Sequence, residues 1–205
     1  MRKGMFVGLV ILAVCSYLSS AQAENLIING SFEEISEKTG LPVDWGFSPP
    51  TSTYGKVDDT TSVDGKYSVK VTVPPDALGV YIFHQRNPKI SIPAGTRIKL
   101  SGWSKVDNYI KGKWQKDKFP RHAIALAIQL ADGSRKYPEV SFSSSEEWEY
   151  KEQFYTFDKE VTAISYVYLC HYYSSGTVWY DDIYFGPVEE VDVKLPKTDS
   201  ATLLG

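Results

Sequence analysis

The chain has 205 residues, of which 42% are hydrophobic and 23% are charged, and its formal net charge is −3 at pH 7. A chain of this length can bury a sizeable single core. The acidic balance argues against general nucleic-acid binding, which requires cationic side chains that neutralise phosphates.

The N-terminal segment has the order of features of a secretory signal. Arg2 and Lys3 precede an apolar run over 5–14, and the segment ends in small residues at Ala23. We therefore predict a signal peptide over 1–23 and a protein that is secreted, extracellular or periplasmic. No other apolar run approaches the roughly 20 residues that a membrane span needs, so we expect no span after cleavage.

Two features of this leader bear on the mature chain. A lipoprotein signal that ends at Cys15 is an alternative, but the bulky Val14 stands where a small residue is expected. Cleavage after Ala23 would leave 20 basic and 25 acidic side chains, a net charge of −5, with Cys170 as the one cysteine. A single thiol forms no internal disulfide, so stability must come from core burial or a metal.

Beyond residue 24, apolar residues alternate with a period of two and helix-length stripes are scarce. Turn signals such as Asp64-Gly65 and Asp132-Gly133 separate the alternating segments. The pattern predicts one all-β domain over 24–187, an antiparallel β-sandwich of the jelly-roll type, followed by a flexible polar tail over 188–205. The predicted strands are Ser68–Val73, Gly79–Phe83, Arg97–Lys105, His122–Leu130, Trp148–Phe157, Ala163–Tyr173 and Thr177–Phe185.

Alternation also predicts which face of each strand is buried. In the strand from His122, an aliphatic face with Ile124 and Leu126 is the expected core side, and the opposite face is small, with three alanines. In the strand from Gly79, Val80 and Ile82 are expected to be buried and Tyr81, Phe83 and Gln85 to point outward. In the strand from Ala163, Val167 and Leu169 are expected to be buried. The tyrosines of that strand would then form a ladder beside the alanines, and together these residues describe a groove.

Aromatic residues in such a groove suit carbohydrate, because sugar C–H groups stack on rings while hydroxyls seek a few placed polar groups. The alternative is that these aromatics only stabilise the sheets through cross-strand pairs. The predicted ligand-binding residues are Tyr81, Phe83, Gln85, Trp103, Tyr166, Tyr168 and Tyr172.

At both ends of the domain, a carboxylate side chain lies among apolar residues. Glu33 follows the apolar segment that begins at Asn25, and Asp181 lies inside an apolar strand. Burial of such groups is costly without a positive partner, and calcium, a hard cation, is a natural one. The alternative is that both carboxylates cap turns or pair with Lys or Arg.

Six segments in this order and spacing resemble carbohydrate-binding modules of the family 4, 9, 16 and 22 type, in the galactose-binding-like jelly-roll group. The resemblance covers nearly all of 24–187. Its segments are 25–33, 42–45, 63–71, 92–105, 147–150 and 177–183.

The resemblance implies a galactose-binding-like fold whose two ends meet, and glycan binding on the concave face or at loop ends. It also implies a structural calcium held by the carbonyl of Ser31, the side chain of Glu33, the loop from Asp64 to Lys66, and the side chain of Asp181. Asp181 is preferred to Asp182 because it shares a face with other expected core residues.

The segment from Lys105 to His122 departs from the family pattern. It contains six cationic side chains against Asp107 and Asp117, with three aromatic residues among them. Such a segment is either a binding loop for an acidic glycan or a solvated hairpin extension.

The sequence favours a non-catalytic module that binds a polysaccharide or cell-surface glycan, and we expect it to be a monomer. None of the three histidines lies in a recognisable nucleophile or metal-binding motif. One alternative is a protein–protein interaction module on the same fold. Another is a polysaccharide lyase that uses Tyr168 and His171, although alternation places these two on opposite faces.

Overall fold

The computed structural model describes residues 24–48, 51–85 and 89–188. The predicted signal peptide, the alternative lipid site at Cys15 and the predicted tail beyond Val188 lie outside these residues. Among the described residues, no helix has the length and apolar character needed to cross a membrane.

Turns and loops connect the strands, and the part of the chain that the structure describes contains one 3-10 turn, Thr51–Thr53. In chain order the strands of the described residues are β1 (Trp45–Phe47), β2 (Gly55–Asp58), β3 (Ser68–Val73), β4 (Val80–Gln85), β5 (Lys89–Ile92), β6 (Arg97–Lys111), β7 (Arg121–Leu130), β8 (Arg135–Lys136), β9 (Glu139–Ser141), β10 (Glu149–Thr156), β11 (Val161–Tyr172) and β12 (Ser174–Pro187).

The strands form two antiparallel sheets. A seven-stranded sheet has the order β1-β4-β11-β7-β8, with β5 also paired to β11 and β9 also paired to β7. A five-stranded sheet has the order β10-β6-β12-β3-β2. The predicted antiparallel β-sandwich is confirmed, and each of the seven predicted strands is present. Five short strands, β1, β2, β5, β8 and β9, were not predicted, because they are too short to show a period.

The core lies between the inner faces of the two sheets. From the seven-stranded sheet it receives the predicted aliphatic face of β7 and the alternate residues Val167 and Leu169 of β11. From the five-stranded sheet it receives Ile98 and Leu100 of β6 together with Phe185 of β12. The inner faces of β7 and β11 are therefore as predicted.

The two ends of the domain meet, as the resemblance implies. The Leu26 N–H donates to the Phe185 carbonyl at 2.8 Å, and the Ile183 N–H donates to the Gly30 carbonyl at 2.9 Å. A Cβ on Gly30 would lie 2.1 Å from the Ile183 carbonyl oxygen, so only glycine allows this approach. The closure brings Glu33 and Asp181 to the same end of the sandwich.

Candidate functional site

The predicted orientation of β4 is wrong. Tyr81, Phe83 and Gln85 point into the protein and have exposed fractions of 3%, 0% and 0%. Val80 and Ile82, which were expected to be buried, lie on the outer face of the sheet instead. The three predicted ligand contacts on β4 are therefore inner-face residues.

Aromatic packing explains the inversion. Phe83 stacks on Trp45 with ring centroids 5.0 Å apart and also contacts Phe32 and Phe47. The Gln85 amide is satisfied by backbone, because it donates to the Ile28 carbonyl at 2.6 Å and accepts from the Ile28 N–H at 3.1 Å. Residues before β4 in the chain thus provide an aromatic and polar lining that the strand pattern itself does not reveal.

On β11 the predicted arrangement of tyrosines is present. Tyr166 and Tyr168 lie half-buried on the outer face, and their rings stack with centroids 5.4 Å apart and planes 16° apart. β11 lies between β4 and β7, so this pair occupies the middle of the seven-stranded sheet. We call Tyr166 and Tyr168 the tyrosine platform.

Small residues flank the platform on the β7 side. Tyr166 pairs with Ala127 and Tyr168 pairs with Ala125. The exposed fractions of Ala125 and Ala127 are only 3% and 4%. The methyl groups of these alanines are therefore almost fully covered by the side chains around them.

The residues that pair across the sheet at the level of Tyr168 include polar groups. On one side Tyr168 pairs with His84, which in turn pairs with Gly46. On the other side Ala125 pairs with Glu139. A Cβ on Gly46 would lie 3.5 Å from the imidazole Cε1 of His84, so the glycine leaves room beside this ring.

Glu139 is held in its ionised form. Burial alone would raise the pKa of Glu139, but hydrogen bonds from Arg121 and Ser141 outweigh it and lower the pKa. The Arg121 guanidinium donates to Oε2, and the Ser141 hydroxyl donates to Oε1 at 2.7 Å. The edge of the face therefore offers an ordered carboxylate, a guanidinium and a hydroxyl group.

Two other predicted contacts lie away from the platform. Tyr172 shares the outer face of β11 but is 9% exposed. Trp103 lies on the outer face of the five-stranded sheet, where its ring is 5.2 Å from that of Tyr150. The predicted single groove therefore does not form, because Trp103 and the tyrosines of β11 belong to different sheets.

Sequence reasoning missed three residues of the platform surroundings. His84 was assigned to the inner face, and Arg135 and Tyr137 lie outside the predicted strands. Tyr137 follows β8 and is 64% exposed. The pKa of Tyr168 is raised, mainly by burial, and Tyr137 and Arg135 lie close enough to influence it. If the buried face of β4 had been predicted correctly, alternation alone would have placed His84 on the outer face.

The predicted metal residues meet at the 63–67 loop. The Glu33 carboxylate accepts the Lys66 N–H at 3.0 Å and the Tyr67 N–H at 2.8 Å. The Asp181 carboxylate accepts the Val63 N–H at 2.6 Å. Ser31 lies in the turn before Glu33. One carboxylate from each end of the domain therefore accepts hydrogen bonds from this loop.

Asp64 and Gly65 lie at the centre of this contact. The Asp64 N–H donates to the Asp181 carboxylate at 3.3 Å. Gly65 has a φ of 61°, and a Cβ there would lie 2.3 Å from the Glu33 carboxyl carbon. Both its backbone conformation and its close contact thus require glycine.

Asp181 is fully buried, and this burial raises its pKa to about 7 even though backbone N–H groups donate to it. Burial also raises the pKa of Asp182, and the charge of Asp64 adds to this effect. Within the described residues no three His, Cys, Asp or Glu side chains converge as a metal cluster. Glu33 and Asp181 instead accept backbone N–H groups, which is the turn-capping arrangement, and a hard cation would need backbone carbonyls in addition to these two carboxylates.

The sequence matches no family model and no curated protein. Solved structures do match its fold. The CBM22-1–GH10 modules of Clostridium thermocellum xylanase 10B, complexed with xylohexaose, align at a TM-score of 0.52 and 12% identity, over 82% of this chain and 29% of that chain. The chain has the jelly-roll fold of carbohydrate-binding modules.

Two further structures resemble this module. The enzymatically active domain of tailspike protein 4 from bacteriophage CBA120 aligns at a TM-score of 0.50 and 13% identity, over 80% of this chain and 21% of that chain. The CBM22-1 xylan-binding domain of Paenibacillus barcinonensis Xyn10C has a TM-score of 0.47 and 15% identity, over 82% and 96% of the two chains. At these identities the likeness concerns the fold.

Proposed function

We propose that this chain binds a polysaccharide or cell-surface glycan on the outer face of its seven-stranded sheet and contributes proximity rather than catalysis. The observation that carries the proposal is the stacked Tyr166–Tyr168 pair at the middle of that sheet, flanked by the alanines of β7. The half-buried rings of this pair contribute apolar surface to the outer face.

The chemistry of the face suits a sugar. The rings of the platform offer apolar surface to sugar C–H groups, and the rows around them supply the hydrogen-bonding groups of His84 and Glu139. This combination of apolar surface and few polar groups is the usual composition of small-ligand sites. The complex of the xylanase 10B modules with xylohexaose supports the proposal by fold analogy.

The test is a glycan array followed by titration of the best ligand into variants. Tyr166→Ala and Tyr168→Ala should each weaken binding by at least about tenfold, as expected for an aromatic hot spot. Trp103→Ala is the matched control, because it removes a half-buried aromatic ring from the opposite sheet and should leave the affinity unchanged.

Three other outcomes would contradict the proposal. Unchanged affinity in both tyrosine variants would show that the platform is not the site. A protein partner retained in the absence of any glycan binding would favour the interaction-module alternative. Release of unsaturated sugars from a polysaccharide would establish a lyase.

We also propose that a structural calcium, remote from the sugar, joins the domain ends. Its ligands would be the side chains of Glu33 and Asp181, the carbonyl of Ser31 and the loop from Asp64 to Lys66. When bound, the ion would supply positive charge that keeps Asp181 ionised. The support for the proposal is that the Asp181 carboxylate is fully buried while none of the described ion pairs contains it.

Secretion is part of the same proposal. If residues 1–23 are a signal peptide, expression in a secreting host should yield a protein in the medium or periplasm whose intact mass corresponds to a chain that begins at Glu24. A mass that retains the leader, or a lipid-modified Cys15, would contradict it.

A further inference from the structure

A recess lies at one end of the sandwich. It has a volume of about 430 Å³ and lies where the loop that joins β6 to β7, which contains a small hairpin closed by Gln115 and Lys118, approaches β9. Pockets of this size accommodate small organic ligands. We call it the hairpin pocket, and its lining includes Trp114, Phe119, Arg121, Glu139, Ser141 and Ser143.

Aromatic contacts connect the hairpin pocket to the face of the platform. The rings of Trp114 and Phe119 have centroids 5.8 Å apart, and Phe119 lies 6.1 Å from Tyr172 on β11. Tyr172 shares the outer face with Tyr168, about 13 Å further along the strand at 3.3 Å per residue. One extended ligand can therefore reach both sites.

The hairpin differs from the rest of the chain in charge. Residues 111–121 contain five cationic side chains and one acidic side chain, whereas the whole chain has a net charge of −3. Lys111, Lys113, Lys116 and Lys118 are exposed, and among the described ion pairs none involves them. Clustered cations without acidic partners create a local field that favours an anionic ligand.

The most exposed large hydrophobic side chain of the described residues also belongs to this hairpin. Trp114 is 75% exposed, although it stands next to lysines that could shield it. The exposed indole presents an apolar surface to a ligand in the recess. The guanidinium and the serine hydroxyls of the recess present hydrogen-bond donors to the same ligand.

We propose that the hairpin pocket binds an acidic sugar residue, one that carries a carboxylate or sulfate group, of the polysaccharide that lies on the tyrosine platform. This inference rests on the proposed function and adds the class of glycan. The sugar ring stacks on Trp114 and Phe119. Its anionic group meets Arg121 and Lys111, which both line the pocket, and its hydroxyls meet Ser141 and Ser143.

Arg121 already has one anionic partner, Glu139, and the sugar therefore shares the guanidinium with it. Arginine has five N–H donors, so a second acceptor can bind without displacement of the first. The Glu139 charge nevertheless opposes an anion in the pocket. Its removal should strengthen acidic-sugar binding, an effect that a purely structural role for the ion pair would not produce.

The test compares three forms of one oligosaccharide: uronate-containing, carboxyl-reduced and sulfated. The wild-type protein should prefer at least one anionic form, and 0.5 M NaCl should reduce that preference because salt screens exposed charges. A preference for the uronate or for the sulfated form identifies the anionic group. Equal affinity for all three forms would overturn the inference.

Variants then locate the preference. Trp114→Ala should weaken binding of the anionic form about tenfold, and Lys111→Ala, which removes the lysine that lines the pocket, should weaken it about fivefold. Glu139→Gln should strengthen it about threefold. Lys56→Ala, which removes an exposed lysine from the other sheet, is the control and should change nothing.

The outcomes separate this inference from the proposed function. If Tyr168→Ala abolishes binding but Trp114→Ala and the lysine variant do not alter the anionic preference, the proposed function stands and the hairpin pocket is not a site. If Trp114→Ala weakens binding but Tyr168→Ala does not, the hairpin pocket stands and the platform is wrong. Absence of binding to any form overturns both.

Discussion

If the proposed calcium is bound, its removal should destabilise this protein in a way that depends on pH, and Asp181 sets the size of the effect. Burial raises the pKa of Asp181 to about 7, whereas an aspartate in an unfolded chain has a pKa of about 3.9. The difference of about three pKa units means that the ionised carboxylate costs about 4 kcal/mol above pH 7 in the absence of a cation.

The direction of this pH dependence follows from the linkage between protonation and folding. Because the folded pKa is above the unfolded value, the contribution of Asp181 in chelator is fully present below about pH 3.9 and is lost as the pH rises towards 7. A bound cation keeps the carboxylate ionised and restores stability at neutral pH. The stabilisation by calcium should therefore be largest near pH 8 and small below about pH 5.

The assay is the melting temperature in 10 mM calcium and in chelator, at pH 5 and pH 8. A dissociation constant of about 10⁻⁴ M would give about 2.7 kcal/mol at this concentration. For a domain of this size, that free energy raises the melting temperature by roughly 5–10 °C. Asp181→Asn should abolish the calcium response.

Asp182→Asn is the matched control, because Asp182 is the neighbouring carboxylate and has a φ of 48°, which asparagine tolerates. This variant should keep the full response. A melting temperature indifferent to calcium at pH 8, or a response lost in Asp182→Asn but kept in Asp181→Asn, would refute the reasoning.

Three further predictions concern stability. Burial lowers the pKa of His122 to about 3 and of His171 to about 4, so the free energy of unfolding in urea should fall as the pH decreases from 6.5 towards 4, by up to about 1.4 kcal/mol per pH unit for each imidazole; a flat profile would contradict this. Phe83→Ala should reduce the free energy of unfolding by about 3–5 kcal/mol, measured by the same titration, and a loss below about 1 kcal/mol would place Phe83 outside the core. Gly65→Ala should lower the melting temperature more than Gly40→Ala, because both have positive φ but only Gly65 touches a carboxylate; equal losses would show that the contact contributes nothing.

Much of the fold could be predicted because the long strands have an unambiguous period. β7 alternates Ile and Leu with Ala, and β11 alternates Val167 and Leu169 with tyrosines, so each strand has one face that must be buried. The tyrosine platform follows directly from this contrast. The meeting of the domain ends came from the resemblance instead, since no local pattern encodes a contact between Leu26 and Phe185.

The orientation of β4 could not be predicted in the same way. Both of its faces contain apolar residues, and the assumption that aliphatic residues are buried before aromatic ones selected the wrong face. The decisive partners, Phe32 and Trp45, lie in a distant part of the chain with little regular structure. When both faces of a strand are apolar, tertiary packing rather than alternation determines which is buried.

The hairpin pocket was partly visible in the sequence. The clustered lysines and the aromatic residues of 105–122 indicated either a binding loop or a solvated extension. The recess depends on Arg121 and Glu139, which β7 and β9 bring together across 18 positions. Such a contact follows from strand pairing and has no local sequence signal.

The central claim is that a glycan lies on the tyrosine platform, and the alanine methyl groups beside it can report this directly. In a protein labelled with ¹³C at alanine methyls, titration of the best glycan should shift the signals of Ala123, Ala125 and Ala127 saturably, while Ala94 in a distant exposed turn stays unchanged. Saturable binding that leaves these three methyl signals in place would contradict the account.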